Sequence, residues 1–535
     1  MGSDTKKAKF IGGKAGGAAY ENCKSPIANP SMNRWPDEPM IQSASSCYSK
    51  SRFQAILVSS AQRCSMGNDL IQIGNALPPG GFEASSAAEF AVAPALAGEG
   101  KTFYLETFGC QMNVHDSEKV AGVLMARGYR PVDSHEDADV ILYNTCSIRE
   151  KAAQKVFSRL GAFRKAKSAE RKIIGVLGCV AQQEGERFFE RAPQVSLVCG
   201  SASYPRLPDL LTQIESGNRR VKGLDLDTED CFETEFTRRD NRFRAYLTII
   251  EGCDQRCAFC VVPMTRGPER SRSGAKIIAE CRRLVDAGYT EIQILGQIVN
   301  AWRDPTPARW SFAELLGRVA EVPGVRRVRF TTSHPRFFTP DIVAAIDSHP
   351  AICDQIHLPV QSGSTEVLAR MLRGYSREEY LEKIDCIRKA RRAISLSTDI
   401  IVGFCGESEK DFEQTLSLLA EVEYDQVFSF KFSPRPNTGA LEFADSVSEE
   451  EKGRRLTRLQ EVQRQIQLRR NQALVGQTFE VLVEGYQPHL GQAVGRTTRN
   501  RVLNFPGEAT DVGCYRQVMV TSSGPNSLVG ERIGD

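Results

Sequence analysis

Cys253-Asp254-Gln255-Arg256-Cys257-Ala258-Phe259-Cys260 sets three thiols within eight positions, and the next Cys or His is Cys281. Thiolates are the ordinary protein ligands of [4Fe–4S] cubes, and a closed cage takes four of them. Three leave one iron open to a substrate or cofactor. Two blander readings compete. Cys257 and Cys260 have the spacing of half a zinc knot, although no second half follows before Cys281. All three could also be small buried side chains.

Outward from this stretch, residues 243–432 alternate between strand and helix patterns. Strands are expected at Tyr246–Ile250, Glu291–Leu295, Val328–Thr331, Gln355–Pro359, Leu396–Val402 and Gln426–Phe432. Six such units make a partial parallel (β/α)6 barrel. The cysteine loop follows its first strand, at the carboxyl-end mouth where barrel active sites form. The run Arg266-Gly267-Pro268-Glu269-Arg270-Ser271-Arg272 comes directly after. Arg266, Arg270 and Arg272 are expected to hold an anionic substrate backbone, against the alternative of a solvated loop with internal ion pairs.

From residue 101 a separate parallel α/β pattern runs to about 216. Strands are expected at Thr102–Thr107, Asp139–Tyr143 and Ile173–Leu177, with helices from about Asp116, Ile148 and Gln183. Cys110, Cys146 and Cys179 each fall just past the carboxyl end of a strand. Those ends share one edge in a parallel sheet, so the three thiols are expected to converge on a second incompletely caged cluster. Cys199, after Val195–Val198, is a weaker substitute.

Residues 448–471 read as one charged helix. Beyond it, short β-like runs (Phe479–Glu484, Gln492–Gly495, Arg501–Phe505, Tyr515–Val520) suggest a small antiparallel barrel from 474 to 535. Residues 1–100, rich in Ala, Gly, Ser and Pro, read as a disordered extension. Cys23, Cys47 and Cys64 in it are given no role. The 535 residues are 41% hydrophobic and 25% charged, the balance of a folded soluble protein, with a net charge of only +3. The 16 cysteines are too dispersed for a secreted disulfide scaffold, and no apolar run is long enough to span a bilayer.

The Cys-x3-Cys-x2-Cys loop, with Phe259 before its last cysteine, resembles the signature of the radical S-adenosylmethionine (SAM) superfamily. Thr107-Phe-Gly-Cys110-Gln-Met-Asn113, Asn144-Thr-Cys146-Ser-Ile-Arg-Glu150 and Gly178-Cys179-Val-Ala-Gln-Gln-Glu184 look like the three N-terminal motifs of its methylthiotransferases. Gly495-Arg496-Thr-Thr-Arg499-Asn500-Arg501-Val502 looks like the core of a TRAM domain, an RNA-binding module. The resemblance covers residues 101 to 535 and is closest to methylthiotransferases of the MiaB type.

It implies two [4Fe–4S] clusters, on Cys253, Cys257, Cys260 and on Cys110, Cys146, Cys179, with the radical SAM core over 239–471. SAM would serve as both radical source and methyl donor. Phe259, Gln297, Asn300, His357, Gln361, Ser362, Gly363 and Asp399 match positions lining the SAM pocket, and Arg496, Arg499 and Arg501 would meet RNA. The implied substrate is tRNA carrying N6-isopentenyladenosine at position 37, thiolated and methylated at C2. An electron donor of flavodoxin or ferredoxin type and a sulfur source are further implied partners. A monomer is expected, in the cytoplasm or, in a eukaryote, the mitochondrion. Rival members modify a ribosomal-protein aspartate or threonylcarbamoyl-adenosine in tRNA. The Gln111-Met112-Asn113, Ser147-Ile148-Arg149-Glu150 and Gln182-Gln183-Glu184 tails favour the isopentenyl-tRNA enzyme. A rival of another class is a non-catalytic iron–sulfur RNA-binding protein.

Overall fold

The computed structural model describes residues 98–147, 150–163, 172–226, 228, 231–234 and 237–534. Except for its last three residues, the extension read as disordered lies outside the described residues, as do Ile148 and Arg149 of the second motif.

The first domain is a six-stranded parallel sheet of order β2-β1-β3-β4-β5-β6. Its strands are β1 (Thr102–Phe108), β2 (Arg130–Pro131), β3 (Val140–Thr145), β4 (Ile173–Gly178), β5 (Leu197–Cys199) and β6 (Val221–Gly223). Alternate residues feed two apolar layers. Val140 and Leu142 pack with Val120 and Leu124 on one face, while Ile141 and Tyr143 pack with Val156 and Leu160 on the other. A sheet covered on both faces needs strands that are apolar throughout, and β3 is buried along its whole length. β6 lies beyond residue 216, where the expected α/β pattern ends. Three residues are too few to show a period, and Val221 is recruited by pairing with Leu197.

The second domain has six parallel strands in sequence order. They are β7 (Arg244–Thr248), β10 (Glu291–Leu295), β11 (Arg327–Phe330), β12 (Gln355–His357), β13 (Ser395–Val402) and β14 (Gln426–Lys431). A Val328–Ile352 bridge joins the two three-stranded halves. Between β7 and β10 lies a two-rung antiparallel stem, β8 (Ile250–Glu251) against β9 (Arg270–Ser271). The cysteine loop hangs from that stem.

Helix Glu449–Gln472, capped by Ser448, sinks Leu459 and Ile466 into the main core. It leads to a closed barrel of β15 (Thr478–Gln487), β16 (Gln492–Thr497), β17 (Val502–Pro506), β18 (Tyr515–Ser523) and β19 (Leu528–Arg532). The expected all-antiparallel arrangement holds except where β17 meets β19 in parallel. That pairing closes the barrel through a fifth strand the sequence reading had not counted. Among the described residues, no helix is long and apolar enough to cross a membrane.

Candidate iron–sulfur and SAM site

The three cysteines of the first domain follow β1, β3 and β4, which are neighbours in the sheet. β1 is also where strand order reverses, the usual ligand crevice of such sheets. The helices start earlier than the sequence suggested. Cys110 is itself the extended N-cap of helix Gln111–Ala126, and Cys179 is the first residue of helix Cys179–Glu184. The Cys110 thiol therefore sits against the Met112 and Asn113 N–H groups at a helix start, which favour anionic sulfur.

Asn144 gathers the three loops. Its side chain donates to the Asn113 carbonyl and to Ser117 Oγ, both at 2.9 Å, and accepts from Asn113 Nδ2 and the Tyr204 hydroxyl. Gly178 has φ +89°, and a Cβ there would stand 2.4 Å from Asn144 Oδ1. Only glycine lets the Cys179 loop close onto Asn144. The adjacent Cys146 thiol pulls the Cys110 thiol down to about 6, with the Arg266 charge assisting. Cys199 is not part of this group. It is buried in the apolar core, which pushes its thiol up to about 12.

The second triad is held by the β8–β9 stem. Gly252, at φ +78°, passes so close to the Pro268 carbonyl that a Cβ would lie 1.9 Å from its oxygen. Arg373 Nη1 donates to Cys257 Sγ at 3.3 Å and Nη2 to the Pro359 carbonyl. Burial pushes Cys253 up to about 12 and Cys260 up to about 11, the Cys257 charge adding to both and Cys179 to Cys260. Helix Cys179–Glu184 packs against helix Val262–Arg266, which follows the cysteine loop, so the two triads approach each other at the domain junction.

The first domain lies on the concave side of the barrel. Met112 and Cys110 pack on Tyr246 and Leu295, and Asp116 Oδ2 accepts from Arg266 Nη2 at 2.6 Å. Arg266 is fully buried with the charges of Cys179 and Cys110 close by. Among the described residues, no three His, Cys, Asp or Glu side chains converge tightly enough to chelate one metal ion. Thiols in threes beside buried guanidinium groups suit an anionic cube, and iron would hold even the raised thiols as thiolates.

At the ends of β10 and β11, Gln297 Oε1, Ser333 Oγ and His334 Nε2 are buried without a partner. Burial, then Arg373 and Arg336, push His334 down to about 2, so its ring is neutral. Its Nδ1 accepts from the Arg336 N–H, leaving the hydrogen on Nε2. An unmet acceptor, hydroxyl and donor side by side suit a zwitterionic ligand such as SAM's methionine end.

The other expected SAM residues divide. His357 Nε2 lies 3.2 Å from Asp399 Oδ1, and Gln361 holds φ +74° beside them. Asn300 spends both ends of its amide on the His334 backbone. Ser362 and Gly363 bond to Thr415 on the helix behind the strand. Phe259 packs into an apolar group with Phe404 and Phe432. Sequence reasoning missed Arg373 and Thr332. The latter is β-branched yet left-handed at φ +63°, and its N–H reaches towards His357 Nδ1 at 3.4 Å. Such strain gathers at functional sites, but no spacing announces it.

The model of an uncharacterised protein family, UPF0004, matches residues 102–200, that of the radical SAM superfamily 247–419 and that of the TRAM domain 472–533. A tRNA-2-methylthio-N(6)-dimethylallyladenosine synthase of Solibacter usitatus is 64% identical over 436 residues, 81% of this chain and 98% of that protein. This chain belongs to that synthase family.

Synthases of Koribacter versatilis and Aquifex aeolicus are 57% and 45% identical, over 82% and 81% of this chain and 100% and 99% of their own length. The solved structure of the radical SAM methyltransferase TsrM from Kitasatospora setae, with tryptophan and a SAM analogue, matches at TM-score 0.49 and 14% identity, over 64% of this chain and 75% of that one. Membership in the synthase family makes the cofactors [4Fe–4S] iron–sulfur and S-adenosylmethionine.

Of the arginines expected to meet RNA, Arg266, Arg270 and Arg272 are the main correction. Arg266 pairs with Asp116, and Arg270 clamps the loop stem through Glu251 and the Pro268 carbonyl. Arg272 bonds Glu233, Glu280 and the Thr248 carbonyl. All three are buried, where a free charge is intolerable and internal partners replace water. In the C-terminal barrel, Arg496 pairs with Glu484 and Arg501 with Asp425. Arg499 stacks over Phe479 at 5.6 Å.

Arg501 belongs to a polar seam that shuts the amino end of the radical SAM barrel. There Arg327 donates to the Arg496 and Glu480 carbonyls, and Arg329 to the Thr497 carbonyl at 2.6 Å. In this member of the synthase family, the TRAM barrel and the thiols thus occupy opposite ends of the partial barrel.

Proposed function

We propose that this chain converts N6-dimethylallyladenosine at position 37 of tRNA to its 2-methylthio derivative, with two [4Fe–4S] clusters and SAM as radical source and methyl donor. The observation that carries the reading is that Cys110 of one three-cysteine set packs with Tyr246 and Leu295 of the second domain, whose β8–β9 stem carries the other set. When bound, the clusters supply reductive cleavage of the sulfonium and a sulfur atom for transfer. The chain's own part is placement. The β8–β9 stem and Arg373 hold one triad, Asn144 and Gly178 the other, and Asp116–Arg266 fixes the span between them.

Radical chemistry suits the target because adenine C2–H is inert to polar attack. The unmet polar atoms of Gln297, Ser333 and His334 at the ends of β10 and β11 support SAM binding. The TRAM barrel supports a tRNA partner, whose anticodon-loop bases can be extruded and read singly. An electron donor of flavodoxin or ferredoxin type, a separate sulfur source, a monomeric state and a cytoplasmic setting complete the reading.

The test is mass spectrometry of tRNA nucleosides from a strain lacking its own synthase, with and without this chain. Restored 2-methylthio-N6-dimethylallyladenosine is expected, together with 5′-deoxyadenosine from reduced, reconstituted protein in vitro. Unchanged tRNA nucleosides overturn the proposal.

A further inference from the structure

The last strand of the partial barrel carries two aromatic rings that the fold does not bury. Among the described residues β14 pairs only with β13, so its outer edge borders the barrel's open side. Its inward and outward residues are plainly distinguished. Val427 packs on the main core and Ser429 Oγ accepts from Gln460 of the long helix. Phe428 and Phe430 point the other way, in register with Asp399 and Ile401. Phe428 is 37% exposed and Phe430 45% exposed.

Their surroundings are those of the site. The Phe428 ring meets His357 edge-on, centroids 6.0 Å apart, and His357 is the partner of Asp399. Ile401, beside Phe430, packs against the apolar group that Ala258 and Phe259 of the cysteine loop also join. Leu441 and Phe443 continue the apolar exposure on the rim, where the Ala440 N–H bonds the Ala258 carbonyl. An apolar surface left in water beside these groups marks a binding face.

We propose that Phe428 and Phe430 form the shelf on which the extruded prenylated purine rests, its flat base and N6-dimethylallyl chain covering the two rings. The Asp399 carboxylate, held by His357 at the shelf's edge, offers an acceptor to the purine N6–H. This rests on the functional reading above and adds what selects the substrate. A flat ring with a branched five-carbon tail matches two adjacent phenyl faces, whereas an unprenylated adenine leaves one of them wet. Bases stack on such rings whatever their sequence context, so selection here would come from the tail.

The test measures binding of anticodon stem–loop RNAs with and without the dimethylallyl group to reconstituted holoenzyme. The native chain should prefer the prenylated RNA. Phe428→Ala and Phe430→Ala should each weaken that RNA's binding about tenfold or more and shrink the preference, while Phe428→Tyr keeps it. Iron content and melting temperature serve as controls for folding, since neither ring is buried. If the native chain methylthiolates prenylated tRNA but both alanine variants retain the full preference, the shelf is wrong and the function stands. If the native chain does not modify prenylated tRNA, the functional reading falls and the shelf with it.

Discussion

Asp116 Oδ2 and Arg266 Nη2 lie 2.6 Å apart with both side chains buried, joining the first helix of one domain to the turn just after the cysteine loop of the other. Lys119 near Glu251 and Ser201 on the Thr265 carbonyl support the same junction. The distance between the two thiol sets depends on these few polar contacts.

Asp116→Ala strands a buried guanidinium and should cost about 3–5 kcal/mol. The double variant Asp116→Ala/Arg266→Met, which removes both charges, should recover much of that loss. Melting temperatures of the two single variants and the double variant check this. A double variant no more stable than Asp116→Ala would show that the pair is not what couples the domains.

Removing one thiol set should leave the other loaded. Cys110→Ala/Cys146→Ala/Cys179→Ala should halve iron and sulfide per chain in anaerobically reconstituted protein, and so should the same replacement of Cys253, Cys257 and Cys260. Elemental analysis beside absorption spectra reads the outcome. Iron lost entirely in either variant would mean a single shared centre.

Asn144→Ala should loosen the first set alone, because it frees the Asn113, Ser117 and Tyr204 partners together. Several buried polar groups then lack partners, at about 1–3 kcal/mol each. The expected signature is reduced iron at that set, with near-normal reductive SAM cleavage at the other.

Burial pushes the Glu118 carboxyl from 4.5 up to about 7, against the pull of Arg239. The folded state therefore holds the proton more tightly than the unfolded chain, and stability falls as pH rises from about 4.5 to about 7. The loss reaches at most about 3 kcal/mol. Glu118→Gln should be progressively more stable than the native chain across that window and level off above it. Melting curves from acid to neutral pH check the slope, and a parallel pair of curves refutes it.

Arg329 joins Glu291 to the Thr497 and Thr498 carbonyls. Arg329→Met should release the C-terminal barrel from the amino end of the radical SAM barrel without unfolding either. Faster hydrogen exchange confined to the seam, with weaker tRNA binding, is expected. Unaltered exchange in β16 and β17 would show that the seam is held elsewhere.

Much of this was legible from the chain because it is local. The cysteine loop must hang from a strand end, and the Asn144-Thr145-Cys146 and Gly178-Cys179 motifs carry their own turn and helix-start chemistry. Helix starts were read late because Cys110 and Cys179 were taken for loop residues, although thiols can stand at a helix N-terminus. β6 and the β8–β9 stem were missed because two or three residues show no period. Gln182, in the third motif, holds the Leu224 carbonyl through its amide, a role its position in the sequence does not announce.

By itself, the sequence determined three modules, the parallel order of the first two, and the six thiols with their strand-end positions, because spacing and periodicity act over neighbouring residues. Only the tertiary structure decided which arginines meet water. Arg266 finds Asp116 from 150 residues away, and a guanidinium reads the same in sequence whether it faces RNA or a buried carboxylate. Desolvation makes the difference between those fates, and it is set by what folds over the side chain. The same reason hid Phe428 and Phe430, whose alternation in a strand resembles core until the last edge is left uncovered.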